Sequence, residues 1–270
     1  MQVWGVVNQK GGVGKTTTVT ALSGLLAEQG HRVLMIDLDP QGSLSRYFDF
    51  DVDTLQGTTS DVLQLSQPSA VSVMNMIRPT GEENLSLLPG SPALSALERK
   101  MSSSGGMGMA LQRALGCIEN QFDYVILDSP PVLGLLMINV LAAAEHLVIP
   151  SQTEPLALEG LARMVHTLGM VEKSLGHSPE FVIVPTLHDK RTRAGKDCLA
   201  QLRTLYPSQC WRSAVPVDTL LREASRMHIS PALISEPSRG LEAYRLLLDD
   251  LVSQNARVEH PSKPGAWMAV

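Results

Sequence analysis

The stretch that most constrains this chain is Asn8-Gln9-Lys10-Gly11-Gly12-Val13-Gly14-Lys15-Thr16-Thr17-Thr18. An apolar run, Val3 to Val7, precedes it and reads as a buried strand. A helical pattern follows, with Val19, Leu22, Leu25 and Leu26 on one face. A glycine-rich turn between strand and helix aims successive backbone N–H groups inward, and the helix N-terminus adds partial positive charge. Such a turn cradles polyphosphate, which assigns Lys15 to the β- and γ-phosphates and the Thr16 hydroxyl to Mg²⁺. The stretch departs from the usual phosphate-loop pattern, because Gln9 sits where that pattern has its first glycine. A second lysine, Lys10, also lies inside the loop. One lysine serves the loop's own phosphates, so the second has no local use.

Acids follow at the ends of two further apolar runs. Val33-Leu34-Met35-Ile36 reads as a buried strand ending in Asp37-Leu38-Asp39-Pro40-Gln41-Gly42. Tyr124-Val125-Ile126-Leu127 reads as another, closed by Asp128 and followed by Ser129-Pro130-Pro131. Carboxylates at the C-terminal ends of strands, beside a phosphate loop, lie where parallel α/β sheets bind their ligands. The second run has the form of a Walker B strand, in which Asp128 holds Mg²⁺ directly or through water.

Strands alternate with helices along the rest of the chain. Leu85–Gly90, Leu147–Pro150, Phe181–Pro185 and Val215–Asp218 read as strands. Helices are expected over about 91–100, 110–119, 135–144, 157–175, from the basic cluster Lys190–Arg193 to about Leu205, and 240–252. Residues 51–84 are mixed and polar, with one or two short helices, and Met101–Gly108 reads as a flexible surface loop. The pattern predicts one α/β domain over 1–252, a doubly wound and mostly parallel sheet flanked by helices. A flexible tail over 253–270 is expected to follow it.

At 270 residues and 44% hydrophobic content the chain can bury one good core. The net charge of −5 points away from a nucleic-acid-binding surface over the whole protein. Cys117, Cys198 and Cys210 lack paired metal-ligand spacing and read as reduced core thiols. No apolar run approaches the roughly 18 residues of a membrane span. The chain also opens straight into a strand, without a leader pattern. The expectation is a cytoplasmic protein.

With these residues in hand the chain resembles the ParA/Soj/MinD family of deviant Walker A ATPases. Lys10-Gly-Gly-Val-Gly-Lys-Thr-Thr17 matches the family's phosphate loop, Asp37 to Gly42 its second acidic motif, and Tyr124 to Pro131 its Walker B region. The similarity continues through Gln152 to Gly160 and Asp189 to Thr192, and reaches Val215-Pro216. The resemblance implies ATP and Mg²⁺ as cofactors, slow ATP hydrolysis stimulated by a partner protein, and a homodimer in the ATP state. In that dimer Lys10 crosses to the other subunit's phosphates, which gives the odd lysine its use. It further implies that Gly11, Gly12, Val13, Gly14, Lys15, Thr16 and Thr17 bind nucleotide, and that Thr16 and Asp128 hold the metal with Asp37 close to its shell. Asp39 positions the attacking water. Pro216 and Asp218 line the adenine pocket, where an acceptor oxygen meets the base amino group, and Glu154 falls near the dimer face within reach of ribose.

Departures from the family pattern bear on the cargo. Val217 and Leu220 stand where chromosome-segregating members carry arginines, and the C-terminus lacks the basic amphipathic helix of MinD-like members. The combination is most similar to the ParA-like branch, often called ParC, that positions chemotaxis arrays at bacterial poles. That branch implies a polar landmark or chemotaxis partner, weak or absent DNA binding, no membrane helix, and concentration at a cell pole. The alternative is a chromosome- or plasmid-partitioning ATPase with a ParB-like partner. A nitrogenase-iron-protein-like reductase needs paired cluster cysteines that the chain lacks. A dinucleotide-binding dehydrogenase needs a glycine spacing that the loop lacks.

Overall fold

The computed structural model describes residues 1–101, 107–175 and 179–259. Seven strands form one sheet: β1 (Gln2–Val6), β2 (Val33–Asp37), β3 (Arg78–Pro79), β4 (Leu85–Leu88), β5 (Tyr124–Asp128), β6 (His146–Gln152) and β7 (Glu180–Thr186). Their order is β3-β4-β2-β5-β1-β6-β7. All pairings are parallel except β3 with β4. The helices are α1 (Lys15–Glu28), α2 (Ser43–Tyr47), α3 (Thr59–Leu63), α4 (Ala70–Met74), α5 (Ala93–Met101) and α6 (Ala110–Gly116). They continue as α7 (Leu135–Ala143), α8 (Pro155–Leu175), α9 (Arg193–Leu205), α10 (Leu220–Arg226) and α11 (Arg239–Glu259). The expected doubly wound, mostly parallel sheet is what forms.

Every residue of β2 and β5 is buried, which explains why both read as unbroken apolar runs rather than alternating ones. Side chains alternate between two cores. Val3, Val125, Leu127, Leu147 and Ile149 pack with α6, α7 and α8. Trp4, Val6, Ile126 and Val148 pack with α1 and α11 on the other face. The chain crosses the sheet in opposite directions from β1, since β2 and β4 lie to one side and β6 and β7 to the other. A crevice therefore opens at the C-terminal end of β1, where the phosphate loop sits.

Four expectations are corrected. Val215–Asp218 is not a strand; Val215 donates its N–H to Pro185 O and accepts from His188 N, but Pro216 has no N–H to continue the ladder. The basic cluster at Lys190 precedes the helix rather than opening it, because Thr192 accepts from Gly195 N and α9 starts at Arg193. The last helix runs to Glu259, past the expected end at Val252, since no glycine or proline interrupts residues 253–259. Residues 51–84 carry α3 and α4 and also the edge strand β3. The loop expected over Met101–Gly108 falls mostly, and the tail beyond Glu259 wholly, outside the described residues. All three cysteines are free thiols.

Candidate functional site

The loop between β1 and α1 takes two left-handed residues, Gly12 at φ 75° and Gly14 at φ 92°, a region that L side chains rarely enter. A Cβ on Gly11, Gly12 or Gly14 would meet nothing within 4 Å, so the loop faces open space. Its outer side is tied down. Thr186 Oγ1 donates to Val13 O at 2.8 Å, Gln152 Nε2 to Gly12 O at 2.9 Å, and Thr18 Oγ1 to Gly14 O at 2.8 Å. Asn8 Oδ1 accepts from Lys10 N while its amide donates to Pro150 O. The carbonyls are thus occupied from behind, and the unpaired N–H groups of the first turn of α1 are left for an anion. A cavity of about 340 Å³ opens in front of them, lined also by Lys15, Thr16, Thr17 and Asp39.

Asp37 and Asp128 are register partners on β2 and β5, and both are buried. Thr16 Oγ1 donates to Asp128 Oδ2 at 2.7 Å, whereas Asp128 Oδ1 is buried with no partner among the described residues. Asp37 Oδ2 accepts from the Ser45 N–H at 2.9 Å and its hydroxyl at 2.7 Å, and Asp37 Oδ1 from Asp39 N at 3.1 Å. Asp39 Oδ1 accepts from Gln41 N at 2.9 Å. Burial pushes the carboxyls of Asp37, Asp39 and Asp128 up, and for Asp128 the charge of Asp37 adds to it. Burial pushes the Lys15 ammonium down, against the pull of Asp128 and Asp39. The protein alone gathers no three-carboxyl metal cluster among the described residues, but the orphaned Asp128 oxygen beside the Thr16 hydroxyl is in want of a cation. The oxygen donors fit Mg²⁺ completed by phosphate oxygens.

Lys10 stands apart from this cluster. Its ammonium donates to Gln152 Oε1 at 2.9 Å and pairs with the half-exposed Glu154 carboxylate, on the segment between β6 and α8. It sits on its own chain's surface, beside Leu156, Glu159 and Arg163, rather than over its own loop. Glu154 therefore meets Lys10, the contact that the sequence did not suggest.

On the other side of Thr16 and Thr17 lies a cavity of about 360 Å³, walled by Tyr47, Leu187, Val215, Pro216, Leu221 and Tyr244. Its apolar sides suit a planar aromatic group. Asp218 lines it too, but its oxygens accept from Leu220 N at 2.9 Å, Gly240 N at 2.8 Å and Ser238 Oγ at 3.0 Å. Its carboxylate ties the N-terminal ends of α10 and α11 together, and the base-reading role weakens accordingly. Sequence reasoning passed over Gln152, Thr186 and Ser45. Gln152 carried a signal, as the first residue of the matching segment Gln152 to Gly160, whereas Thr186 and Ser45 carried none.

A sequence profile of the AAA domain matches residues 1–181. The sporulation initiation inhibitor protein Soj of Bacillus subtilis is 34% identical over 241 residues, covering 88% of this chain and 93% of Soj. The chromosome partitioning protein ParA of Myxococcus xanthus is 32% identical over 251 residues, covering 93% and 87% respectively. The structure of a cobyrinic acid a,c-diamide synthase from Mycobacterium smegmatis, with bound ATP analog and magnesium, is similar with a TM-score of 0.79 at 32% identity over 99% of this chain and 100% of that one. McdA of Cyanothece shares the fold, with a TM-score of 0.83 at 22% identity over 93% of this chain and 96% of its own in the ATP complex. A phosphate loop with an extra lysine, register-paired acids and relatives of this similarity agree: the chain belongs to the ParA/Soj/MinD family of P-loop ATPases.

Proposed function

We propose that this protein is an ATP-dependent dimerising switch that positions or segregates intracellular cargo, and that hydrolysis resets it. The observation that carries the reading is Lys10. Lys15 already supplies the loop's own cation, and the Lys10 ammonium lies outside the loop on a surface that a second copy can reach. In this reading Gly11 to Thr17 hold the phosphates of ATP, and Pro216 and Asp218 border the base. Thr16 and Asp128 would hold Mg²⁺, with Asp37 beside its shell, and a divalent cation there would supply positive charge against the phosphate oxygens. Asp39 orients the water that attacks the γ-phosphorus as the bond to the ADP oxygen breaks. The partner copy's Lys10 meets the charge that develops there. A site completed only by a second copy supports slow intrinsic turnover, quickened by a partner protein.

Two cargo readings remain, and the names of the partitioning relatives fit the alternative equally well. Polar chemotaxis arrays, with a polar landmark protein and concentration at a cell pole in the cytoplasm, are favoured by the basic surface. Arg191 is held by Asp189, Arg193 by Asp197 and Arg226 by Glu223, while Arg203 donates to a backbone carbonyl. Lys190, Lys196 and Arg222 are left without ion pairs among the described residues. A basic surface offset by neighbouring carboxylates, on a chain of net charge −5, supports weak DNA binding at physiological salt. Among the described residues no helix is long and apolar enough to cross a membrane.

One preparation tests both layers. Asp39→Ala is expected to sediment as a stable dimer in ATP and Mg²⁺ without releasing phosphate, because it loses water positioning but no phosphate contact. A monomer under those conditions overturns the division of labour. The trapped dimer is then titrated with DNA at about 150 mM salt. Micromolar or tighter binding that Arg222→Glu abolishes would return the protein to the partitioning reading.

A further inference from the structure

Ser45 is buried in α2 and touches neither the loop nor the cavity in front of it. Its hydroxyl nevertheless has a fixed direction. The Gly90 N–H can only donate, and it donates to Ser45 Oγ at 2.9 Å, so the Ser45 hydrogen goes to Asp37 Oδ2 at 2.7 Å. The Ser45 backbone N–H reaches the same oxygen, and Asp37 Oδ1 takes the Asp39 N–H. Asp37 is thus a hub with three donors around it, and turning its carboxylate would break all three. Gly90 also stands directly against Asp37. A Cβ on Gly90 would lie 2.9 Å from both Asp37 Cγ and Asp37 O.

The consequence falls on Asp39. Its backbone is tied to Asp37 Oδ1, and its own carboxylate takes the Gln41 N–H. Attack on phosphorus is sensitive to displacements of about 1 Å, which cost on the order of 100-fold in rate. We propose that Ser45 is a positioning residue for hydrolysis: braced by Gly90, it locks Asp37, and the locked Asp37 sets the place of Asp39. The inference rests on reading Asp39 as the water-orienting carboxylate.

The test uses the full chain with ATP and Mg²⁺, and measures phosphate release in a single turnover together with affinity for a fluorescent ATP analogue. Ser45→Ala is expected to slow phosphate release by about tenfold or more while affinity stays within about threefold, since it removes no phosphate contact. Ser45→Thr, which keeps the hydroxyl, is expected to restore most of the rate. Gly90→Ala would set a Cβ 2.9 Å from Asp37 Cγ and is expected to slow release without loss of affinity; it decides the matter if Ser45→Ala does not fold. Unchanged release in Ser45→Ala, a parallel fall of affinity and rate, or no rescue by threonine would overturn the positioning role. Wild-type protein that releases no phosphate would instead sink the reading of the whole site.

Discussion

The two lysines of one loop lie in opposite settings. Lys15 is 8% exposed and faces Asp128 at the end of β5 and Asp39 just beyond β2. The Lys10 side chain is 28% exposed and its partner Glu154 49%. The first region is assembled within one chain and buried in it. The second is held by a surface ion pair, of a kind worth about 0–1 kcal/mol. Burial fixes a group for its own chain's chemistry, whereas weak surface tethering leaves a group free to serve another molecule.

The sharpest way to break this contrast is Lys15→Ala. The loop loses its only buried cation for the β- and γ-phosphates, and two buried carboxyls lose their internal counter-charge. ATP binding should disappear in calorimetry, a loss of about 30-fold or more, given that truncating one partner of a buried charge pair across a binding interface costs about 2–5 kcal/mol of affinity. Affinity within a few-fold of wild type would mean that the loop is not the phosphate site.

Lys10→Ala should behave differently, because its lost partner is in the other subunit. Nucleotide affinity should stay close to wild type, while the ATP-dependent dimer fails to form and turnover falls by about 10³-fold, as for other cations supplied in trans. Sedimentation showing an unchanged dimer with unchanged turnover would place Lys10 among the solvated surface lysines.

The buried region makes its own prediction about pH. Burial raises the carboxyls of Asp37 and Asp128 above their unfolded range, so the metal-free folded state holds more protons than the unfolded chain as pH rises toward neutrality. Stability then falls with rising pH across that window. Lys15, lowered by burial, acts in the opposite sense, but only above its own folded pKa. The melting temperature without Mg²⁺ should be several degrees higher at about pH 5.5 than at about pH 8. Mg²⁺ with a non-hydrolysable nucleotide should shrink the gap, since the cation replaces the missing protons. A metal-free melting temperature that rises over this range would mean that the acids are not under strain.

The same contrast separates what the sequence discloses from what it conceals. The phosphate loop and the Asp128 strand are local patterns, an apolar run, a turn and a helix, and each is legible within about twenty residues. The fold follows from their alternation. The contacts that finish the site are not local: Gln152 and Glu154 reach Lys10 across 142 and 144 positions, and Gly90 reaches Ser45 across 45. The apolar run Val215–Asp218 misled because one proline removes the donor that a strand needs, and because Asp218 is spent on two helix ends. Strand β3 has two residues, too few to show a period.

The smallest expected effect lies in the weak region, at Glu154→Gln. The substitution keeps the shape and an acceptor oxygen but removes the charge that holds Lys10 on its own chain. If Lys10 must leave Glu154 to reach a second copy, the variant should dimerise at lower ATP concentration. The gain is bounded by the strength of a half-exposed pair, about 0.2–1 kcal/mol, or at most about fivefold in the midpoint of an ATP titration followed by sedimentation. Added salt weakens the same pair, so raising salt from about 50 to about 500 mM should close the difference between variant and wild type. A weaker dimer in the variant would give Glu154 the opposite task, contacting the second copy directly, and the loose region would then be part of the interface rather than a resting place for Lys10.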